Sequence, residues 1–598
     1  MSKSNWKKLL QVTSMSMDLP YCSKFLDFVL RDRKTGSLVG PVFLRTILLL
    51  SPGIYQGLAD GGIWLEHPLG RPKLSTPARH YLEKELIAMA KLNSPMSWTF
   101  CLVPTLFAPL LVALPVIGGF QSCLVAQTKA VHVPSIDSDE SVTNTEDGPF
   151  FGNGFKTGEI NQSSAIVWVR LTRNQLTDFQ ALPILTEGLP SNARSQMAMP
   201  VGVSPGMEGQ VRIRFREAED NSSNPESWTA TPWIAVDPQK DFVIQVPLER
   251  LRAGLEYRLQ LDARADATAA ISDSVNGRFR TAPAVNADGS IRFIVSTCQA
   301  IRSIDSGAKG HVAYREMLDF KPDFFVHTGD ILYYDKVPLC KSVQQARSKW
   351  NLMFSYQYNR EFHQQVGSYF MKDDHDTLKN DCWPGQTYGN LTFEEGLSLF
   401  REQVPMGQKT FRTVRWGQHL QIWMTENRDF RSPNRLADGP QKTILGVQQK
   451  RWLKESLASS DATFKFVITP GPIVGPDKRG KADNHSNNAF QNEGQQLREF
   501  LASQSNTYVI CGDRHWQYCS QDPETGLMEF GCGPINDEHS FGGNPGNDPK
   551  YHRYFSGKGG FFGVTVNANR ATAQWYAVNS KSNEAAKLRY TETLSRKP

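Results

Sequence analysis

The chain has 598 residues, which points to two or three domains with material for large cores. Its formal net charge of +6 is small for that length and includes no Lys/Arg run resembling a nucleic-acid footprint, though it is compatible with an anionic substrate. Nine cysteines, an odd number without CxxC spacing, fit neither a disulfide scaffold nor a zinc finger.

Residues 1–95 carry no assignable motif. From 93 to 128 there is no charged residue, and 98–120 is mostly apolar and long enough to span a bilayer. Pro104, Pro109 and Pro115 each remove a helix hydrogen bond, which suits a cleaved export segment better than a stable anchor. Met96 stands directly before this stretch, as it would if translation began there and residues 1–95 belonged to an over-long gene model. Against that, such a start leaves no positive n-region, and Gln121-Ser122-Cys123 is a poor lipoprotein-type cleavage match. The expectation for 96–127 is an export signal. A membrane anchor through 96–120 and a buried hydrophobic hairpin are the alternatives, and no Arg-Arg pair supports twin-arginine export. The protein is therefore expected to be exported, to a periplasm or cell envelope. Residues 128–150, acidic and Ser/Thr-rich between 137 and 147, read as linker.

Between 151 and 284 short alternating runs separated by turn residues predict half-buried strands at 165–170, 211–215, 242–246 and 257–261. This spacing suggests a β-sandwich of immunoglobulin or fibronectin type, with Tyr257, at the end of PLERLRAGLEY, where such sandwiches turn a corner. It carries no chemistry.

Beyond 286 the pattern becomes α/β. A strand at 291–296, a helix at 310–320 closed by Lys321-Pro322-Asp323, and a strand at 324–327 broken by Thr328-Gly329-Asp330 form a β-α-β unit. Parallel strands joined this way set Cys298 and Asp330 side by side at one sheet edge, with Tyr333 a turn further on. Alone, Asp330 reads as a turn cap and Cys298 as a small buried residue. Acid and histidine clusters then recur after further apolar runs. Strands are expected at 420–425, 464–469 and 507–511 and helices at 392–403, 447–457 and 493–503. A closing antiparallel hairpin at 560–567 and 571–578 precedes a tail at 581–598.

One cluster, Lys372-Asp373-Asp374-His375-Asp376, sets three carboxylates around an imidazole, which repel unless a cation neutralises them. A second, Gly512-Asp513-Arg514-His515-Trp516, places a carboxylate and an imidazole two residues apart, able to face one cleft. Between them lie Gly475-Pro476-Asp477 and Asp483-Asn484-His485. Asp477 and Asn484 read as loop residues, and His485 is a candidate substrate contact.

In order, Cys298, GDILY at 329–333, DDHD at 373–376 and GDRHW at 512–516 resemble the PhoD-type alkaline phosphatases and phosphodiesterases, a branch of the calcineurin-like metallophosphoesterases. The resemblance covers about residues 151–580. Lys372 and the GPD and DNH stretches depart from the best-known members and suggest a separate subfamily. The resemblance implies a four-layer α-β-β-α sandwich over 288–580, preceded by the small β-sandwich. It also implies that Cys298, Asp330 and Tyr333 ligate a ferric ion, with Asp330 bridging to a second metal. Asp374 takes the place of a metal-binding asparagine, His375 that of a histidine contacting substrate or leaving group, and Asp513 and His515 match the last motif. Hard carboxylates suit calcium or another divalent ion, whereas thiolate and phenolate favour iron. Arg514 has two readings, a contact to a phosphate oxygen or a structural ion pair.

The expected activity is hydrolysis of a phosphomonoester or phosphodiester by metal-activated water or hydroxide, with Asp374 and His375 catalytic and His375 protonating the leaving alkoxide. Two alternatives stand beside it. Cys298-Gln299-Ala300-Ile301-Arg302 fits the loose C-x-[PA]-x-R pattern of formylglycine sulfatases, and an exported non-enzymatic binding protein with a degenerate site would also carry these modules. The loops at 337–367 and 478–490 hold no readable substrate code.

Overall fold

Ile291–Ser296 and Phe324–His327 lie side by side in parallel, Phe293 beside Phe324 through Ser296 beside His327, and helix Val312–Asp319 makes the crossover between them. In this computed structural model the described residues are 148–179, 196–219, 227–478, 480–540, 547–581 and 584–597, together with four short strands nearer the N-terminus. The chain divides into a unit at 1–119 and a unit at 120–598. In the first, Val29–Arg31 pairs antiparallel with Leu38–Pro41, and Gln56–Gly57 with Trp64–Leu65. The expected export segment at 96–127 and most of the expected linker lie outside the described residues. Among the described residues no helix is long and apolar enough to cross a membrane.

The second unit is built on two large sheets. One has nine strands, in the order Val243–Glu249, Ser164–Arg170, Phe155–Gly158, Ser368–Phe370, Phe324–His327, Ile291–Ser296, Gly560–Val566, Arg570–Ala577 and Lys587–Ser595. The other has seven, in the order Arg412–Trp416, Leu420–Met424, Phe464–Thr469, Thr507–Cys511, Met528–Cys532, Gln517–Gln521 and His552–Ser556. Strand periodicity explains how they stack, because successive side chains point to opposite faces. Phe293, Val295, Phe324 and Val326 meet Phe466, Ile468, Tyr508 and Ile510 in one shared core between the sheets. The intervening Ile294 and Phe325 face Val312, Tyr314 and Phe362 of helices Val312–Asp319 and Gln357–His363. Val467 and Val509 face Leu453 and Leu497 of helices Gly446–Ala458 and Gln491–Ala502 on the far side. The layers thus run helix, sheet, sheet, helix, and the central parallel strands, covered on both faces, read as continuous apolar runs.

Two regions differ from the sequence expectation. Residues 151–284 do not form a sandwich apart from the rest. Phe155–Gly158, Ser164–Arg170 and Val243–Glu249 extend the nine-stranded sheet, with Gly158 paired in parallel to Ser368. Gln210–Glu217, Glu256–Arg264 and Asp273–Arg280 form a five-stranded sheet with Thr229–Ala230 and Ile234–Ala235. The same core runs through both. Alternation fixes the two faces of a strand but not the partner of its edge, and the edge of Ser368–Phe370 is completed by Phe155–Gly158. Tyr257 does make the corner: its hydroxyl accepts the N–H of Arg252 at 2.8 Å. The second difference is the expected tail, in which Lys587–Ser595 forms the last strand of the nine-stranded sheet. There Tyr590 stacks on Tyr554 with ring centroids 4.7 Å apart, and Leu594 is buried.

Candidate metal centre

The strands of both sheets deliver polar loops to one edge. Cys298 follows Ile291–Ser296 at φ 50°, Asp330 follows Phe324–His327 at φ 55° and Asp513 follows Thr507–Cys511 at φ 59°. All three occupy the left-handed region that non-glycine residues seldom adopt and that clusters at functional sites. Backbone bonds hold the first two together, Cys298 N–H donating to Gly329 O at 3.2 Å and Gln299 N–H to Asp330 O at 2.9 Å. Two glycines allow the loops to close up. A Cβ on Gly329 would lie 2.7 Å from the Asp373 backbone nitrogen, and one on Gly512 would lie 2.5 Å from Thr328 Oγ1 and 2.7 Å from Thr297 Oγ1. Asp376 ties two loops by accepting the N–H groups of Ile331 at 3.0 Å and Asp373 at 2.7 Å.

Three sets of side chains converge, Cys298 with Asp330 and His515, Asp330 with Asp374 and His375, and Asp330 with Asp373 and Asp513. Within each, the potential ligand atoms lie within 4.8 Å of one another, and Asp330 belongs to all three. Cys298 Sγ is 3.5 Å from Asp330 Oδ2, and the Tyr333 hydroxyl is 3.4 Å from His515 Nε2.

The electrostatics call for a cation. Asp330 Oδ1 and Asp373 Oδ2 are buried with no hydrogen-bond partner. Burial pushes the Asp330 carboxyl up to about 7; His375 opposes the shift, and Asp374 and Asp373 add to it. Burial and then Asp330 likewise raise the Cys298 thiol and the Tyr333 phenol well above their usual ranges. An isolated site would hold these groups protonated, whereas a cation would favour every ionised form at once. Thiol, phenol, imidazole and carboxylate donors are all present, so the residues fit a metal site.

His375 is held by a carboxylate on one side. Its Nδ1 lies 2.5 Å from Asp335 Oδ1, which leaves Nε2 as the exchangeable nitrogen, and its ring centroid is 4.3 Å from that of Tyr333. Burial opposes the imidazolium, but Asp374, Asp330 and Asp335 outweigh it and raise the pKa to about 9. Asp374 itself, although burial opposes ionisation, is held below the usual carboxylate range by Arg428, His375 and the N–H of Asp381.

Two residues expected to meet substrate are occupied elsewhere. Arg514 is buried and paired with Asp477 and Asp513, the structural one of its two readings. His485 is also buried and is in none of the converging sets. Its Nε2 is 2.9 Å from Glu493 Oε2, so the loop turns the imidazole inward beneath helix Gln491–Ala502.

Other residues reach the site without having been singled out in the sequence. Arg428 Nε donates to Asp373 Oδ1 at 2.6 Å and its Nη2 is 3.6 Å from Asp374 Oδ1. Its signal was the one used elsewhere, a polar run after the apolar strand Leu420–Met424. Asp373 and Asp335 lie inside or beside motifs already noted. His539, whose Nε2 is 2.9 Å from the Tyr333 hydroxyl, has no local signal.

Residues 293–574 match the sequence model of the PhoD-like phosphatase family. Among solved structures, one of PhoD aligns with a TM-score of 0.60 and 17% identity, covering 76% of this chain and 92% of that one. A purple acid phosphatase from yellow lupin (Lupinus luteus) seeds aligns with a TM-score of 0.48 and 11% identity, covering 75% of each chain. No curated protein matches the chain.

Proposed function

We propose, from the match of residues 293–574 to the PhoD-like phosphatase family, that the protein is a metal-dependent hydrolase of phosphomonoesters, phosphodiesters or both. The observation that carries this reading is the convergence of loops from both sheets on Asp330, where two buried carboxylate oxygens lack any partner. Cys298, Tyr333, Asp330 and His515 would hold a ferric ion, and Asp374, Asp513 and the shared Asp330 calcium or another divalent ion. Bound there, metal ions supply Lewis acidity, clamping phosphate oxygens and lowering the pKa of a water.

The chain's own residues do the rest. His375, oriented by Asp335, protonates the leaving alkoxide. Asp374 stands beside that imidazole, and Arg428 fixes the Asp373 and Asp374 carboxylates. No serine nucleophile is required. The charge-free stretch at 93–128 supports export to a periplasm or cell envelope, with membrane association through 96–120 where that stretch is retained.

The test combines elemental analysis of the full chain with hydrolysis of p-nitrophenyl phosphate, bis-p-nitrophenyl phosphate and an alkyl phosphate. Two metals and cleavage of at least one ester are expected. His375→Asn should slow the alkyl ester, whose leaving group needs a proton, far more than the nitrophenyl esters. Well-folded, metal-reconstituted protein that cleaves none of the three would sink the proposal.

A further inference from the structure

The loop after strand Met528–Cys532 is moored at several points. Pro534 bridges to Thr297, Ile535 N–H donates to Cys298 O at 3.4 Å, and Asn536 Nδ2 donates to Ser303 O at 2.6 Å and Asp305 Oδ2 at 2.8 Å. Next to it Asp537 Oδ1 accepts the N–H of Ser580 at 3.0 Å and its hydroxyl at 2.8 Å. These anchors carry His539, at the end of the turn Asp537–His539, to the Tyr333 hydroxyl at 2.9 Å, closer than His515 Nε2 at 3.4 Å. The His539 ring also lies against that of His515, with centroids 4.3 Å apart.

We infer that His539 is a positioning residue for the Tyr333 oxygen: its Nε2–H donates to that oxygen and holds it as a metal ligand. The inference rests on the reading of Tyr333 as a ligand. A ligating phenolate has no proton, so any hydrogen bond to it must be donated by its neighbour. An imidazole on a well-anchored loop provides that donor. Outer partners of this kind orient ligands and tune the metal.

Full-length protein is stripped with a chelator and reloaded with ferric ion alone, which in the wild type gives a phenolate-to-iron charge-transfer band, told from a Cys298 thiolate band by its tyrosinate vibrations in resonance Raman, that Tyr333→Phe abolishes. In His539→Ala the band should shift and ferric ion should be lost to EDTA at least about tenfold faster, while His539→Gln, which retains a donor, returns both toward wild type. A His539→Ala protein with the wild-type band and loss rate overturns the role of His539. Wild-type protein that takes up no ferric ion, or a Tyr333→Phe variant that keeps the phenolate band, overturns the underlying reading of the site instead.

Discussion

Glu529 and Asp330 are both buried carboxylates, and the protein treats them in opposite ways. Glu529 accepts the N–H groups of Ile473 at 2.6 Å, Val474 at 2.9 Å and Gly475 at 2.8 Å, and the Tyr518 hydroxyl at 2.8 Å. Asp330 has one long thiol contact at 3.5 Å, a bare Oδ1, and Asp373 and Asp374 as neighbours. A buried charge persists only with partners. Where the fold supplies donors the carboxylate is architecture; where it supplies further carboxylates, the partner must come from outside. Asp262 is satisfied by the fold as Glu529 is, paired with Arg214 at 2.9 Å and accepting the Ser274 hydroxyl at 2.8 Å.

The largest effects should come from breaking that contrast directly. Asp330→Asn should lower kcat/KM by more than about 100-fold, beyond the loss of an outer partner, and release bound metal. Metal-free Asp330→Asn should nevertheless melt higher than metal-free wild type, because burial is what most opposes the Asp330 charge and an amide has no charge to bury. Glu529→Gln should do the reverse, retaining metal and losing about 2–3 kcal/mol of stability in urea, the scale of a hydrogen bond to a charged group. Equal destabilisation by the two substitutions would erase the distinction.

The same contrast separates what could be read in the sequence from what could not. Cys298, Asp330 and Asp513 were legible because each directly follows an apolar strand, and a β-α-β unit with a right-handed crossover fixes where such residues go. The central strands were legible for the same local reason. Arg428 reaches Asp373 across 55 residues and His539 reaches Tyr333 across 206, and no periodicity encodes such meetings. The first strands of the 151–284 region failed in the same way: Ser164–Arg170 was recognisable as a strand, but its membership of the nine-stranded sheet depends on Gly158 meeting Ser368. Arg514 was legible as a charge beside the acid of the last motif, Asp513. Its partner Asp477 lies 37 residues away, which left the ion-pair and phosphate readings open.

A smaller effect sharpens the assignment of Arg514. If its guanidinium serves Asp477 and Asp513, then Arg514→Gln and Asp477→Asn should couple in a double-mutant cycle by about 1–2 kcal/mol of stability. KM for phosphate esters should rise little in Asp477→Asn. Additive stabilities together with a large rise in KM on Arg514→Gln would return the residue to the substrate.

His485 and Glu493 give the smallest expected effect on activity and the clearest one on pH. Burial opposes ionisation of Glu493, but His485, the Ile444 N–H and the Thr443 hydroxyl outweigh it and hold the carboxyl at about 2 against an ordinary 4.5. A carboxyl depressed in the folded state stabilises the protein above its ordinary pKa, and that contribution is lost as pH falls from 4.5 through about 2. His485→Gln removes the strongest of these partners, so the variant should lose stability at neutral pH and unfold at a higher pH on acidification. Its kcat/KM should stay within about twofold of wild type, since a residue 1% exposed and bonded to Glu493 has no route to substrate. A tenfold fall in hydrolysis with unchanged acid unfolding would move His485 from the architecture, where Glu529 stands, to the reacting side with Asp330.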